Sequence, residues 1–152
     1  MEIVKSPHSY KIADREAVFL AGTIDNGDSV DWQLEVTEAL SEKDVLILNP
    51  RRDAWDSSWK QSIDNPQFKE QVEWELDGLE AASIIFLYFA PGSKSPISLL
   101  EFGLHVRDKK VIVVCPDGFW RKGNIEVVCN RYGLAIHDDL TSGISALLSE
   151  LP

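Results

Sequence analysis

The stretch SPISLLEFGLHV, residues 95–106, contains one carboxylate, Glu101, inside an otherwise apolar run. If a helix begins near Pro96, both Leu104 and His105 lie next to Glu101 on the helix surface. In one interpretation, which the periodicity alone favours, Glu101 and His105 form an exposed pair on a solvated face. In the other, Glu101 is a nucleophile or general base, whose ionised form is favoured by the helix N-terminus and opposed by burial.

A polar loop after an apolar run brings an amide, two arginines, aspartates and tryptophans together. The residues of interest in this stretch, NPRRDAWDSSW, are Asn49, Arg51, Arg52, Asp53, Trp55 and Trp59. As a surface loop, the stretch would pair one of its arginines with Asp53 and pack Trp55 onto the core. As a binding loop, it would offer a flat base an aromatic wall and a sugar or phosphate polar partners. The sequence leaves both interpretations open.

A predicted helix over residues 68–82 carries several acids between its apolar positions. The apolar positions are Phe68, Val72, Leu76 and Leu79, and the acids are Glu70, Glu73, Glu75 and Asp77. Most of the acids are expected on a solvated face. Either Glu75 or Asp77 could instead point inward beside a substrate, and the spacing does not choose between them.

Short apolar runs alternate with helical patterns along the chain. The predicted strands are 17–23, 45–50, 83–91, 110–116 and 134–137. The predicted helices are 31–43, 68–82, 96–107 with Ser95 as N-cap, and a last one from Asp139 or Thr141 to Leu151, while 124–133 is a short helix or an irregular piece. Buried strands between helices are typical of a parallel sheet covered on both faces. We therefore predict a single α/β domain over residues 1–152, a doubly wound parallel sheet of about five strands with a loose arm at 1–15.

In such a sheet the ligand site lies beyond the carboxyl ends of the strands, near the point where the strand order reverses. The loops expected there are 21–27, 49–55, 89–95 and 115–124. The first begins Ala-Gly-Thr, which lets a backbone approach a ligand closely. It matches neither G-x-G-x-x-G nor the P-loop, and the chain has no G-x-S-x-G elbow. The sequence thus gives no support to a Rossmann dinucleotide-binding site, a P-loop enzyme or a serine hydrolase.

Composition narrows the classes of partner. The chain has 15 basic and 25 acidic residues, a formal net charge of −10, which argues against binding to a nucleic-acid backbone. The longest apolar run is only strand-length and the N-terminus lacks an apolar signal region, so we expect a cytoplasmic protein without a membrane partner. Cys115 and Cys129 lack metal-ligand spacing, and we expect buried thiols, no metal and no cofactor.

Several stretches, taken in order, resemble the nucleoside 2-deoxyribosyltransferase family, and most closely its deoxyribosyltransferase-like branch. They are VFLAGTI, ILNPRRDAWDSSW, FKEQVEWELDGLEAASIIFLYFAPGSKSPISLLEFGL and CPDGFWRKGNIEVVC, and the resemblance extends from about residue 17 to residue 137. It implies a flavodoxin-like fold. It also implies an enzyme that cleaves the N-glycosidic bond of a 2′-deoxynucleoside and passes the sugar to another base.

The resemblance assigns roles to individual residues. It makes Glu101, in a Glu-x-Gly segment, the nucleophile that attacks the anomeric carbon, and Glu75 an acid that holds or protonates the base, where the family more often has Asp. Ser95 stands where the family has an acid, which is a departure. Asn124 resembles an Asn that the family lends to the neighbouring subunit, so the resemblance implies a homo-oligomer with a shared site.

The remaining expected contacts follow from these placements. Gly22, Thr23 and Ile24 line the sugar, either Trp55 or Trp59 covers the base, and the further substrate contacts are Asn49, Arg51, Asp53, Ser95 and Ser98. The expected partners are a nucleoside or nucleotide and a free nucleobase. Three alternatives remain open: transfer to water instead of a base, hydrolysis of a 5′-monophosphate held by Arg51, Arg52 or Arg121, and a non-catalytic nucleotide-binding module.

Overall fold

A computed structural model describes residues 1–24, 31–108 and 110–152, and these form one α/β layer structure. The strands are β1 Glu2–Lys5, β2 Glu16–Gly22, β3 Val45–Asn49, β4 Ile84–Tyr88, β5 Val111–Val114 and β6 Ile136–His137. The helices are α1 Trp32–Ala39, α2 Pro66–Ala81, α3 Pro96–His105, α4 Lys122–Tyr132 and α5 Leu140–Glu150, with a short 3-10 turn Val106–Asp108 after α3. All strands are parallel, in the order β1-β3-β2-β4-β5-β6.

Two hydrophobic cores cover the two faces of the sheet. Successive side chains of a strand point to opposite faces, so Phe19 of β2 enters one core and Val18 the other. The first core packs against α2, α3 and α4, and the second against α1 and α5. The predicted doubly wound, flavodoxin-like arrangement is confirmed, and the apolar strands are buried on both faces as such sheets require.

The strand order reverses between β2 and β4. From β2 the chain goes to β3 on one side and then returns to β4 on the other. Gly22 pairs with Tyr88 at the carboxyl ends of these two strands. Gly22 has a φ of 134°, and a Cβ there would lie 2.2 Å from the Tyr88 carbonyl oxygen, so only glycine fits this close approach.

Residues Glu2–Lys5 form a strand within the stretch 1–15 for which the sequence predicts an arm. β1 adds a sixth strand at the edge of the sheet and pairs with β3. Beyond it, the Trp74 indole of α2 donates a hydrogen bond to the His8 carbonyl oxygen over 2.9 Å, and the Tyr10 and Trp74 rings meet edge to face. The sequence does not predict this strand because it is short and mostly exposed and therefore lacks a continuous apolar run.

Local capping signals explain where most helices begin. Asn65 and Asp139 accept hydrogen bonds from backbone N–H groups in the first turns of α2 and α5. Residues 124–133, left open in sequence, belong mostly to α4.

The buried face of α2 differs from the predicted stripe. Its buried residues are Gln71, Trp74, Gly78 and Leu79. Leu76 is 39% exposed, while Gly78 lies under the Phe19 ring, where a Cβ would be 2.8 Å from the nearest ring carbon. The helix thus approaches the sheet through its smallest residue, and a count of apolar side chains cannot detect such a contact.

Both cysteines are free and buried, as expected, and burial raises the pKa of each thiol to about 11. None of the helices in the described ranges has the length and apolarity that a membrane span requires.

Candidate active site

Three hydroxyl groups meet at the carboxyl ends of β2 and β4. The Thr23 Oγ1 atom lies 2.7 Å from Ser95 Oγ and 3.2 Å from Ser93 Oγ, and the two serine oxygens are 2.9 Å apart. Thr23 Oγ1 also accepts a hydrogen bond from the Ala90 N–H over 2.8 Å. This hydroxyl cluster of Thr23, Ser93 and Ser95 ties the loop after β2 to the loop before α3, at the point where the strand order reverses. The expected loop 21–27 is otherwise outside the described residues from residue 25 onward.

Ser95 occupies the N-cap position of α3 without capping the helix. Its side chain makes no hydrogen bond to the first turn, and its φ of 44° places it in the left-handed region. The predicted side-chain cap is therefore wrong, because the hydroxyl bonds with Thr23 and Ser93 instead. A non-glycine residue in this conformation requires support from its surroundings, which is common at functional sites.

Glu101 lies in the second turn of α3 and is partly buried. Burial first, and then the negative charge of Glu75, raises the pKa of Glu101 to about 8. The exposed Glu101–His105 pair favoured by periodicity is not formed, because His105 is buried and its Nδ1 lies 3.4 Å from Asp108. At neutral pH the Glu101 carboxyl therefore holds a proton in the resting protein.

Glu75 is the acid of α2 that the fold turns inward. Glu70 and Glu73 are exposed and pair with Arg52 and Lys69, and Asp77 is exposed. Glu75 is partly buried, and burial raises its pKa while a hydrogen bond from Gln71 opposes the rise. The structure thereby decides between the two inward candidates that the spacing left open.

Gln71 is a site residue that sequence analysis does not identify. Its side chain is buried, and its Nε2 donates to Glu75 Oε1 over 3.0 Å and to the Pro50 carbonyl oxygen over 2.8 Å. Its Oε1 accepts a hydrogen bond from Ser6 Oγ over 2.5 Å. The only sequence signal is that Gln71 precedes Glu75 by four residues, so that the two share a helix face.

The charged residues of the loop after β3 pair with other segments. Arg52 Nη2 lies 2.8 Å from Glu70 Oε1, and Lys5 Nζ lies 3.2 Å from Asp53. Arg51 is half-exposed and its Nη1 is 3.9 Å from Asp31 Oδ2. The predicted pairing of an arginine with Asp53 is wrong, since each partner comes from a segment distant in sequence.

The two tryptophans of this loop contact each other. Their rings meet edge to face with centroids 5.1 Å apart, and the Arg52 guanidinium lies 5.1 Å from the Trp59 ring centroid. Trp55 is 41% exposed, so it does not pack onto the core as the surface-loop interpretation requires. Asn49 is buried and accepts a hydrogen bond from the Arg51 N–H, which shapes the start of the loop.

The other predicted site residues differ in exposure. Ile24 is 52% exposed beside the hydroxyl cluster, and Ser98 is buried in α3. Asn124 is exposed in the first turn of α4, and Arg121 lies just before that helix with its guanidinium 4.4 Å from the Trp120 ring centroid. Within the described ranges no hydrogen bond or ion pair connects Asn124 to Glu101.

A cleft of about 480 Å³ lies between the end of β1 and the loop after β3, and its lining does not include Glu101. Its polar lining residues are Lys5, Ser6, His8, Arg52 and Asp53.

Among residues 1–24, 31–108 and 110–152, no cluster of three or more His, Cys, Asp or Glu side chains is arranged to hold a metal ion.

The fold and the site together define a class: a flavodoxin-like α/β domain with two neighbouring, partly buried carboxylates on α2 and α3. A family model described as nucleoside 2-deoxyribosyltransferase like matches residues 15–119. This match covers 105 of the 152 residues, and the chain belongs to that family. Membership associates the chain with glycosyl transfer on nucleosides. No curated protein matches the sequence.

Proposed function

We propose that this protein cleaves the N-glycosidic bond of a 2′-deoxynucleoside and transfers the deoxyribosyl group to another base or to water. The observation that carries the proposal is the pair of carboxyl groups of Glu101 and Glu75, close enough for the charge of one to raise the pKa of the other. The pair lies within the matched region of the chain. Glycosidic bond cleavage commonly uses two carboxyl groups, one of which is a nucleophile in retaining enzymes.

Glu101 acts as the nucleophile in this mechanism. Its carboxylate attacks C1′ of the sugar, the bond between C1′ and the base nitrogen breaks, and the electron pair leaves with the base. An anion below C1′ also stabilises the oxocarbenium-like transition state. In the second step another base, or water, attacks C1′ and the bond from C1′ to Glu101 breaks, while the attacking group gives its proton to the released Glu101 carboxylate, which restores the resting state.

The proton on Glu101 is transferred to the departing base. At neutral pH Glu101 holds this proton because its pKa is about 8. The proton transfer leaves Glu101 ionised for the attack and makes the base a better leaving group. Glu75 holds the base, and the hydrogen bond from Gln71 favours its carboxylate form against the effect of burial.

The proposed substrate contacts come from the carboxyl ends of β2 and β3, the loops after them, and the start of α3. Gly22, Thr23 and Ile24 contact the sugar, with Ser95 and Ser98 on the α3 side. Trp55 and Trp59 cover the base, since aromatic rings stack on flat bases. Asn49, Arg51 and Asp53 supply polar partners at the same edge of the sheet.

We also propose that two copies complete the site. Asn124 is exposed on α4 and would contact the sugar in the neighbouring subunit. An apolar stripe on α3, formed by Ile97, Leu100 and Leu104, supports an interface with a second copy, because each of these side chains is more than half exposed.

Two other candidate functions are supported by specific residues. Arg51 is half-exposed, and within the described ranges its ion-pair partner is Asp31, whose Oδ2 lies 3.9 Å from Arg51 Nη1; this favours a 5′-monophosphate as substrate. Ser95, where the resemblance would place an acid, favours a nucleotide-binding module without turnover.

The test uses a panel of 2′-deoxynucleosides, ribonucleosides and their 5′-monophosphates, with and without a second base, and separates the products by liquid chromatography. A new nucleoside establishes transfer, and free base alone establishes hydrolysis. Glu101→Gln must abolish either reaction, whereas Glu73→Gln, an exposed control on α2, must retain it. If wild type is inert but binds nucleotides in calorimetry, the binding module replaces the enzyme.

A further inference from the structure

The edge strand β1 and the residues just after it lie outside the matched region of the chain, which begins at residue 15. Ser6 directly follows β1, and its N–H donates a hydrogen bond to the Asn49 carbonyl oxygen over 3.2 Å. This bond continues the pairing of β1 with β3, in which Lys5 lies opposite Asn49. Ser6 is therefore held at the carboxyl edge of the sheet, and its side chain is almost completely buried.

The hydrogen bonds of Gln71 admit one orientation of its amide. Its Oε1 can only accept, so the Ser6 hydroxyl is the donor in their 2.5 Å contact. Its Nε2 donates one hydrogen to the Pro50 carbonyl oxygen and the other to Glu75 Oε1. A flipped amide would set Oε1 against those two oxygens, which are both acceptors when Glu75 is ionised. Every polar atom of this buried amide is thus satisfied in the orientation observed.

We propose that Ser6 and Gln71 are positioning residues for the reaction at the carboxyl pair: β1 fixes Ser6, Ser6 fixes the Gln71 amide, and that amide holds Glu75 as an oriented acceptor. The inference rests on the proposed function for its role in catalysis. The orientation of Glu75 itself can be tested without any turnover.

The hydrogen bonds from Ser6 to Gln71 and from Gln71 to Glu75 affect the pKa values of the two carboxyl groups. A donor aimed at a carboxylate favours its ionised form, so Gln71 lowers the pKa of Glu75 against the larger rise that burial causes. The negative charge of ionised Glu75 in turn raises the pKa of Glu101. Among the described residues, Gln71 on α2 acts on the pKa of Glu75 and Glu75 acts on that of Glu101, whereas the Ser6 hydroxyl and the Trp74 indole carry no charge. Through Gln71, the N-terminal strand thereby favours the ionised form of Glu75.

Two substitutions each remove a different hydrogen bond of the series from Ser6 through Gln71 to Glu75. Ser6→Ala removes the donor to Gln71, and Gln71→Met removes the donor to Glu75 at nearly constant volume. Ser6→Thr keeps the hydroxyl and should restore wild-type behaviour. Matched controls are Ser57→Ala in the exposed loop and Gln67→Met at an exposed position of α2.

The measurement is the titration of the Glu75 and Glu101 side-chain carboxyl carbons by NMR, on the full chain, together with the pH profile of kcat/KM. We expect Gln71→Met to raise the pKa of Glu75 by about one pH unit and Ser6→Ala to raise it by less. The controls and Ser6→Thr should leave it within error. If both variants remain folded by circular dichroism and Glu75 titrates as in wild type, the inference is overturned. Altered titration in a protein that cleaves no substrate would uphold the orientation of Glu75 and reject the proposed function instead.

Discussion

Thr23 and Ser95 lie 72 residues apart in sequence, yet their hydroxyl oxygens are 2.7 Å apart where the strand order of the sheet reverses. The contact joins the end of β2 to the start of the helix that carries Glu101. Because Thr23 Oγ1 also accepts from the Ala90 N–H, the hydroxyl satisfies a buried backbone donor. The Thr23 hydroxyl therefore helps to hold the loop before α3, together with the hydrogen bond from Ser93 Oγ to the Ala90 carbonyl oxygen.

Replacing Thr23 by Val should lower the free energy of unfolding by about 1–3 kcal/mol, because it leaves the Ala90 N–H buried without an acceptor. Thr23→Ser should cost less, since it keeps the oxygen. Chemical denaturation measures the difference, and Thr141→Val at an exposed position of α5 is the matched control. Equal stability of Thr23→Val and wild type would show that the hydroxyl cluster does not stabilise the loop.

Gly22 should tolerate no side chain. Gly22→Ala places a Cβ 2.2 Å from the Tyr88 carbonyl oxygen and forces alanine to a φ of 134°. We expect a loss of several kcal/mol, on the order of 3 or more, and a reduced yield of folded protein. Gly123→Ala, in α4 with open space around it, should change stability by about 1 kcal/mol or less. A Gly22→Ala variant with the wild-type melting temperature would contradict the described approach of β2 and β4.

The raised pKa of Glu101 predicts a pH-dependent cost to stability. Its pKa in the folded protein, about 8, exceeds its ordinary value of 4.5. The folded state therefore binds more protons than the unfolded state between these values, and this group's contribution to stability falls as pH rises through that window. Glu101→Gln should remove this loss, so the variant should be more stable than wild type at pH 8 by about 1 kcal/mol or more, with a smaller gain at pH 5. Chemical denaturation of wild type and Glu101→Gln at both pH values measures this gain. A difference in the free energy of unfolding that does not change with pH would argue against a raised pKa of Glu101.

The same pair predicts a shift in the pH profile of catalysis. Because the mechanism gives the Glu101 proton to the departing base, kcat/KM should stay level at neutral pH and fall as pH rises through about 8. Glu75→Gln removes the charge that raises the pKa of Glu101, so the fall should begin at lower pH, and the rate should drop because the base is held less well. An unchanged pH profile in this variant would show that the charge of Glu75 does not affect the pKa of Glu101.

A shared site predicts complementation between inactive variants. Glu101→Gln and Asn124→Ala should each be nearly inactive alone. A mixed dimer has one site with wild-type Glu101 from one subunit and wild-type Asn124 from the other, so mixing after dissociation should restore part of the activity. Sedimentation measures the assembly, and Leu100→Glu on the exposed α3 stripe should weaken it, whereas Ile63→Glu in an exposed loop should not. Activity from monomers, or no recovery on mixing, would show that each chain holds a complete site.

The sequence alone determined the types and order of most elements, because buried strands, helix caps and prolines act locally. It also determined the family, since its motifs keep their order along the chain. Tertiary structure decided what depends on approach between distant segments: that Glu75 and not Asp77 turns inward, that Asp53 pairs with Lys5, and that the N-terminal residues form a strand. Ser6 and Gln71 are 65 residues apart and share no periodicity, so only the packing of β1 beside β3 and α2 brings a hydroxyl to the amide that holds Glu75.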